Sequence, residues 1–121
     1  MKTTLAQSRA ANALNAARIE GMGLGQDGGN ALSGFPMLVK TDGALAAFAF
    51  AVERKPNGER KQRGACLIVG AIAAHLSSLG ILNAQTADDL VDELARGDSS
   101  LLRRATAEAL AFLNYLKRFV A

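Results

Sequence analysis

The sequence predicts an all-α protein, a compact single-domain bundle of about five to six helices. Half of its 121 residues are hydrophobic, but much of that fraction is alanine and aromatic residues are few, a composition typical of closely packed helices. Apolar residues recur at helical spacing in the C-terminal segment, and no segment has the alternating pattern of a convincing strand. A chain of this length suits one domain, which buries roughly 65% of the surface that its unfolded form exposes.

Turn residues and glycines indicate the boundaries of the helices. Glycines crowd residues 21–34, which predicts a mobile loop, and residues 56–63 form a basic loop. Pro36 suits the first turn of a short helix, and the dipeptide Asp42-Gly43 suits the turn that closes it. The predicted helices cover approximately Thr4–Glu20, 36–40, Ala44–Lys55, Gly64–Leu79, 86–97 and 99–120.

The last two helices have the clearest sequence signals. Thr86 and Asp89 have the spacing of a capping box, with Asp in place of the usual Glu, and Gly97 suits the C′ position that closes this helix. Asp98 or Ser99 then caps the last helix. Its apolar stripe, which predicts the buried face, consists of Leu102, Ala105, Ala109, Phe112, Leu113, Leu116, Phe119 and Val120.

The helix Gly64–Leu79 is apolar nearly all round, as expected of the central helix of a small bundle. It contains the single cysteine and the single histidine of the sequence. We interpret Cys66 as a buried, inert thiol and His75 as a satisfied core or boundary imidazole, because no Cys, Asp or Glu stands at ligand spacing beside it. A cytosolic protein is predicted, since one cysteine cannot form an intramolecular disulfide and no apolar run reaches the roughly 20 residues that cross a bilayer.

Two further patterns suggest chemistry but have simpler explanations. A G-x-G-x-x-G match begins at Gly23, but it follows a helix and leads into a loop, whereas the dinucleotide fingerprint follows a strand and opens a helix. Four carboxylates cluster on one short helix, where a solvated acidic face is the simpler interpretation and a metal site the alternative. They are Asp88, Asp89, Asp92 and Glu93. Because no catalytic constellation is found, the sequence predicts neither an enzyme nor a cofactor.

Charge is distributed unevenly along the chain. The net charge is +3, yet residues 53–63 and 99–121 each carry +3 and residues 86–97 carry −3. The basic segments form either a merely solvated surface or a surface that contacts phosphates through arginine and lysine. Few aromatic residues besides Tyr115 stand among these bases, so a nucleic acid would be held mainly by its backbone. The candidate nucleic-acid-binding residues are Arg54, Lys55, Arg60, Lys61, Arg63, Arg103, Arg104, Lys117 and Arg118.

Two stretches of the sequence resemble a known family. They are FPMLVKTDGALAAFAFAVERK and the closing TAEALAFLNYLKRFVA, and together they are similar to the small subunit of the type III-B CRISPR effector, the Cmr complex. That family combines a Pro-containing short helix and an Asn/Asp-Gly turn, followed by an apolar helix, with a C-terminal helix resembling EAL…L.WLKRF. Here Tyr115 stands at the position of Trp, and the Gly-rich segment after Glu20 is unusually long.

The resemblance implies an all-helical, non-catalytic protein that stacks in several copies into a short filament beside the filament that holds the guide RNA. Its basic surface would flank the path of single-stranded target RNA in RNA-guided antiviral defence, while other subunits cleave that RNA. We expect the acidic residues of 88–93 to contact the next copy or a neighbouring subunit, since filaments form where unlike patches meet. No cofactor, metal or membrane is implied.

Two alternatives stay open at this point. The small subunit of the related type III-A complex, or another helical RNA-binding or assembly protein, would share the helical fold and the basic face. A small enzyme or a transcription factor is disfavoured, because no catalytic constellation is found and the helix Gly64–Leu79 is too apolar to lie in a DNA groove.

Overall fold

Six α-helices make up most of the described chain. The structure is a computed structural model that describes residues 3–23 and 31–120. The helices are α1 Leu5–Ala17, α2 Ala31–Asp42, α3 Ala44–Ala51, α4 Arg63–Ser78, α5 Ala87–Arg96 and α6 Ser99–Phe119. No strand forms within these two ranges, and an isolated bridge between Arg54 and Arg60 merely closes a loop. The predicted all-α fold class is therefore confirmed.

The central helix is α4, as its apolar sequence predicts. It packs against every other helix, and its fully buried residues are Ile68, Val69, Ile72, Ala73 and Leu76. The long helix α6 completes the core with a face whose buried residues are Ala105, Ala109, Phe112, Leu113 and Leu116. Phe119, predicted to lie on the same buried face, is instead 38% exposed in the last turn of α6. The basic side of α6 therefore projects away from a well-packed core.

Side-chain caps begin the two C-terminal helices. Thr86 accepts a hydrogen bond from the Asp89 N–H at 3.1 Å, so α5 begins where the capping spacing predicts. Asp98 accepts from the Leu101 N–H at 2.8 Å, which makes Asp98, and not Ser99, the N-cap of α6. Each cap satisfies a backbone donor that the first helical turn leaves without a partner.

The beginning of α2 differs from the prediction. The helix starts at Ala31 rather than at Pro36, so the predicted loop of 21–34 ends earlier than its glycines indicate. Leu32 and Phe35 in the additional turn are buried, and Phe35 stacks on Phe48 of α3 with ring centroids 6.2 Å apart. This burial extends the helix despite its glycine and proline. Residues 24–30, the middle of the predicted loop, lie outside the described residues.

Two helices also end earlier than predicted. α1 ends at Ala17 rather than Glu20, and α3 ends at Ala51 rather than Lys55. Gly97 ends α5 as its C-cap residue with φ −83° and ψ 178°, so the predicted C′ role is wrong. A Cβ at Gly97 would lie 2.7 Å from Leu101 Cδ2, the movable end of a side chain, and 3.1 Å from the backbone carbonyl oxygen of Glu93.

Candidate nucleic-acid interface

The loop between α3 and α4 contains four of the predicted phosphate-binding residues, and it uses two of them for its own structure. Arg60 forms a two-pronged ion pair with Asp88 of α5 and donates from Nη1 to the Val52 carbonyl at 2.6 Å. Arg54 donates to the Gly58 carbonyl at 2.7 Å and lies 3.5 Å from the same Asp88 carboxylate. These contacts hold the loop against α5 and leave the two guanidinium groups less available to a phosphate.

The other two bases of this loop, Lys55 and Lys61, are exposed, as is Arg63, which the structure places at the start of α4 rather than in the predicted loop of 56–63. The Lys61 backbone N–H donates to the Glu53 carbonyl at 3.0 Å, which places Lys61 at the base of the loop. The loop therefore presents cations to solvent on a backbone that Arg54 and Arg60 hold in place. Whether any of these residues binds RNA stays a prediction.

The basic face of α6 consists of Arg103, Arg104, Lys117 and Arg118, all exposed. None of the four forms an ion pair with another residue in the described part of the chain. Residues 104 and 118 are fourteen positions apart, which corresponds to about 21 Å along a helix, so the two basic pairs lie near opposite ends of α6. Since their charge is not neutralised within the described chain, this face is the strongest candidate for contact with a polyanion.

The acidic residues of α5 differ in the contacts that their carboxylates make within the chain. Asp88 binds Arg60 and Arg54, and the hydrogen bonds from Arg60 hold the pKa of its carboxyl below the ordinary range. Glu93 accepts the Asn83 N–H with both oxygens at 3.1 Å, and Asp92 contacts Arg96 in an exposed pair at 2.8 Å. Asp89 has no ion pair within the described chain. Asp89 and Asp92 are therefore the two acids most available to a partner.

A buried ionic network, which sequence reasoning missed, joins α1, α4 and α6. Arg9 donates to Glu108 through Nε and Nη2, at 2.7 and 2.8 Å, and His75 Nε2 lies 2.9 Å from Glu108 Oε2. The His75 ring also stacks on Phe112, with centroids 4.5 Å apart. The interpretation of His75 as a satisfied core or boundary imidazole is thus confirmed, and Glu108, the one acid of residues 99–121, is buried.

Hydrogen bonds at the other side of His75 fix its tautomer. Asn12 Nδ2 lies 2.8 Å from His75 Nδ1 and also donates to Ser78 Oγ at 3.0 Å. An amide nitrogen only donates, so Nδ1 accepts and the proton on Nε2 is directed at Glu108. The hydrogen bonds from Arg9, and secondarily those from His75, lower the pKa of Glu108 despite the opposing effect of burial.

The position of Glu108 on the last helix could have revealed this network. Glu108 is three residues after Ala105 and four before Phe112, so it lies on the apolar stripe. A carboxylate at such a position needs a buried partner, since an isolated charge in a core is very costly. The identity of that partner could not be found in the same way, because Arg9 stands 99 positions away.

A groove of about 510 Å³ runs between α1, α4 and the start of α5. Its surface is mostly apolar and is lined by small residues, among them Ala16, Gly70 and Ala74. Cys66 also lines it and is half-buried, where the sequence predicts a buried thiol. Burial nevertheless raises the pKa of the Cys66 thiol, an effect that nearby Arg60 partly opposes.

Metal sites and membrane-spanning helices are both absent from the described residues. No group of three or more His, Cys, Asp or Glu side chains is placed to bind a metal ion in residues 3–23 and 31–120. In the same ranges, no helix combines the length and the apolar character needed to span a bilayer.

Comparison with known proteins identifies the family. A family model described as CRISPR-associated protein (Cas_Cmr5) matches residues 5–121. The X-ray crystal structure of a CRISPR-associated Cmr5 family protein from Thermus thermophilus is similar, with a TM-score of 0.66 and 24% sequence identity over 99% of this chain and 96% of that chain. At this identity the structural likeness shows a shared fold. No curated protein sequence matches the chain.

The family match covers nearly the whole chain, so the protein is of the CRISPR-associated class. The chain belongs to the Cmr5 family, and its resemblance to the small subunit of the Cmr complex is confirmed.

Proposed function

We propose that this chain is a non-catalytic structural subunit of a type III-B CRISPR-Cas (Cmr) ribonucleoprotein effector. In this role several copies stack into a short filament that lines the path of the target RNA and supports RNA-guided antiviral RNA targeting. The family match supports the Cmr assignment over the type III-A alternative. The other subunits, further copies of this chain, and guide or target single-stranded RNA are its proposed partners.

The observation that carries the RNA contact is the exposed basic face of α6. Arg103, Arg104, Lys117 and Arg118 form no ion pair within the described chain, and the fold places them opposite the buried stripe. Such a face attracts phosphates along the strand with little regard to base identity. Lys55 and Lys61 of the loop, and Arg63 at the start of α4, extend the proposed basic surface, while Arg54 and Arg60 hold the loop in place.

Replacement of Arg103, Arg104 and Arg118 by alanine tests the proposed RNA contact. Alanine is the best helix former and these positions are exposed, so the variant keeps its fold. We expect the assembled complex with this variant to contain every subunit but to bind target RNA less tightly at moderate salt. Each lost phosphate contact should reduce the slope of log affinity against log salt by about 0.7. Fluorescence anisotropy at several salt concentrations measures both quantities.

A matched control removes the same charge from other exposed positions. Arg18, Lys40 and Arg96 are exposed and lie outside the basic loop and α6. Their replacement by alanine should leave the salt slope unchanged. If the α6 variant keeps both the affinity and the slope of the unmodified complex, the basic face of α6 is solvated surface and the proposed RNA contact is wrong.

A further inference from the structure

Two clefts follow the line where α1 packs against α6, one on each side of Arg9. The first has a volume of about 360 Å³ and is lined by Leu5, Arg9, Leu79, Ile81, Arg104, Ala107 and Glu108. The second, which we call the Tyr115 cleft, has a volume of about 440 Å³ and is lined by Arg9, Ala111, Asn114, Tyr115 and Arg118. The Tyr115 cleft thus brings together an aromatic ring, an amide and two guanidinium groups.

The polar groups of the Tyr115 cleft are available to a ligand. The side chains of Asn114, Tyr115 and Arg118 have no hydrogen bond or ion pair to another residue in ranges 3–23 and 31–120. Arg9 binds Glu108 through Nε and Nη2, so its Nη1 has no part in that ion pair. The cleft therefore contains donors and an acceptor that the described chain does not use.

Two walls of the Tyr115 cleft are held in position. Arg9 is held by a buried carboxylate, and Tyr115 is half-buried and packs against the core. Asn114, Tyr115 and Arg118 lie within about one turn of α6, so the helix sets the spacing of their Cα atoms. A ligand therefore meets an ordered Tyr115 ring and Arg9 guanidinium, and the exposed Arg118 side chain is ordered when the ligand binds.

We propose that the Tyr115 cleft binds one nucleotide of a single-stranded RNA, with its base against the Tyr115 ring and its phosphate on Arg118. Unpaired bases stack on aromatic rings and form hydrogen bonds at their edges, and the Asn114 amide can both donate and accept there. This inference rests on the proposed function and adds a base contact to it. One position of the bound strand is then held by its base, whereas the remaining basic face contacts phosphates.

The sequence supplies a direct probe of this contact. Tyr115 is the single tyrosine and tryptophan is absent, so intrinsic tyrosine emission reports on the Tyr115 cleft alone. The full chain is titrated at low salt with oligoadenylate, with oligouridylate, and with an abasic ribose-phosphate oligomer of the same length. We expect both base-bearing oligomers to quench the emission saturably, with the midpoint that anisotropy gives for binding. The abasic oligomer should bind without quenching.

Variants separate stacking from charge. Tyr115→Leu should weaken binding of oligoadenylate by about tenfold, Tyr115→Phe by less than about twofold, and neither should change binding of the abasic oligomer. Arg118→Ala should weaken binding of all three oligomers. Asn114→Ala, at an exposed position, should reduce the difference in affinity between oligoadenylate and oligouridylate. This variant tests the base contact even if Tyr115→Leu fails to fold.

The outcomes distinguish this inference from the proposed function. If the oligomers bind with strong salt dependence but Tyr115 emission does not change and Tyr115→Leu binds normally, the nucleotide cleft is wrong and the phosphate contact stands. If the isolated chain binds none of the oligomers, the nucleotide cleft is also wrong, and the proposed function is then judged by the assembled complex.

Discussion

Arg9 and Glu108, 99 positions apart in the sequence, form a two-pronged ion pair that joins the first helix to the last. The Glu108 side chain is 9% exposed and the Arg9 side chain 24% exposed, so the pair lies at the edge of the core. His75 adds a third contact from α4. On folding, the Glu108 carboxylate loses most of its hydration and gains three hydrogen bonds from two side chains. These contacts link α1, α4 and α6.

Glu108→Gln should lower the free energy of unfolding by about 3 kcal/mol, because the Arg9 guanidinium loses the charge that balances it. Urea denaturation followed by circular dichroism measures the loss. Glu53→Gln, at an exposed position, is the matched control and should change stability by less than about 0.5 kcal/mol. If the two variants are equally stable, the network contributes no net stability.

The stability of the protein should fall on acidification in a way that Glu108 controls. Its pKa in the folded protein lies below the ordinary value of 4.5, chiefly because of the hydrogen bonds from Arg9. The carboxylate therefore stabilises the fold fully above this ordinary value, and this stabilisation is lost as pH falls through the lower folded-state value. The stability difference between the unmodified chain and Glu108→Gln should accordingly shrink below about pH 4. A difference that stays constant with pH would contradict this explanation.

Two glycines should respond in opposite directions to substitution by alanine. A Cβ at Gly70 or at Gly43 would meet no atom within 4 Å, so neither site is crowded. Gly70 lies inside α4, where alanine should raise stability by about 0.5–1 kcal/mol. Gly43 has φ +90°, and alanine there should cost about 1–3 kcal/mol through backbone strain. Thermal denaturation measures the stability of both variants. A stability change of the same sign in both would contradict the prediction.

Reversal of charge at Asp89 and Asp92 should reduce the number of copies of this chain in the assembled complex. The proposed contact joins the acidic face of α5 to a basic patch on the next copy or on a neighbouring subunit. Asp88 and Glu93 are left unchanged, because they bind Arg60 and the Asn83 N–H within the chain. Subunit stoichiometry of the purified complex, from native mass spectrometry, measures the effect of the Asp89→Lys/Asp92→Lys variant.

The control for this experiment changes the same charge elsewhere. Glu20 and Glu59 are exposed acids outside α5, and their replacement by lysine should leave the stoichiometry unchanged. Circular dichroism establishes that both double variants fold. Full incorporation of the Asp89→Lys/Asp92→Lys variant would show that α5 makes no such contact.

Local signals predicted most of the helices, and the errors occur where distant contacts decide the structure. Thr86 and Asp98 cap their helices by contacts within one turn, so the sequence alone located both starts. The start of α2 could not be found in this way, because Phe35 is ordered by stacking on Phe48 in another helix. Gly34 and Pro36 indicate a loop, but the burial of Leu32 and Phe35 stabilises the helix enough to offset their low helix propensity.

In the candidate site, too, features set by spacing along one helix were predicted, and contacts between residues far apart in the sequence were not. Amphipathic spacing placed Arg103, Arg104, Lys117 and Arg118 on the exposed side of α6, where the structure has them. Spacing could not show that Arg60 and Asp88 bind each other, since the whole of α4 lies between them in the chain. The two clefts beside Arg9 were also beyond prediction, because each is formed by side chains from both ends of the chain.

The ion pair between Arg9 and Glu108 also constrains the order in which a growing chain can fold. During synthesis α1 emerges before α6, the helix against which it packs most extensively. At a translation rate of about 5–20 residues per second, Arg9 precedes Glu108 by roughly 5–20 seconds. Throughout that interval Ala13 and Ala16 lack much of their final covering, and a chaperone can reach them. Although α1 precedes the other five helices of the bundle, it is therefore among the last of the six to pack.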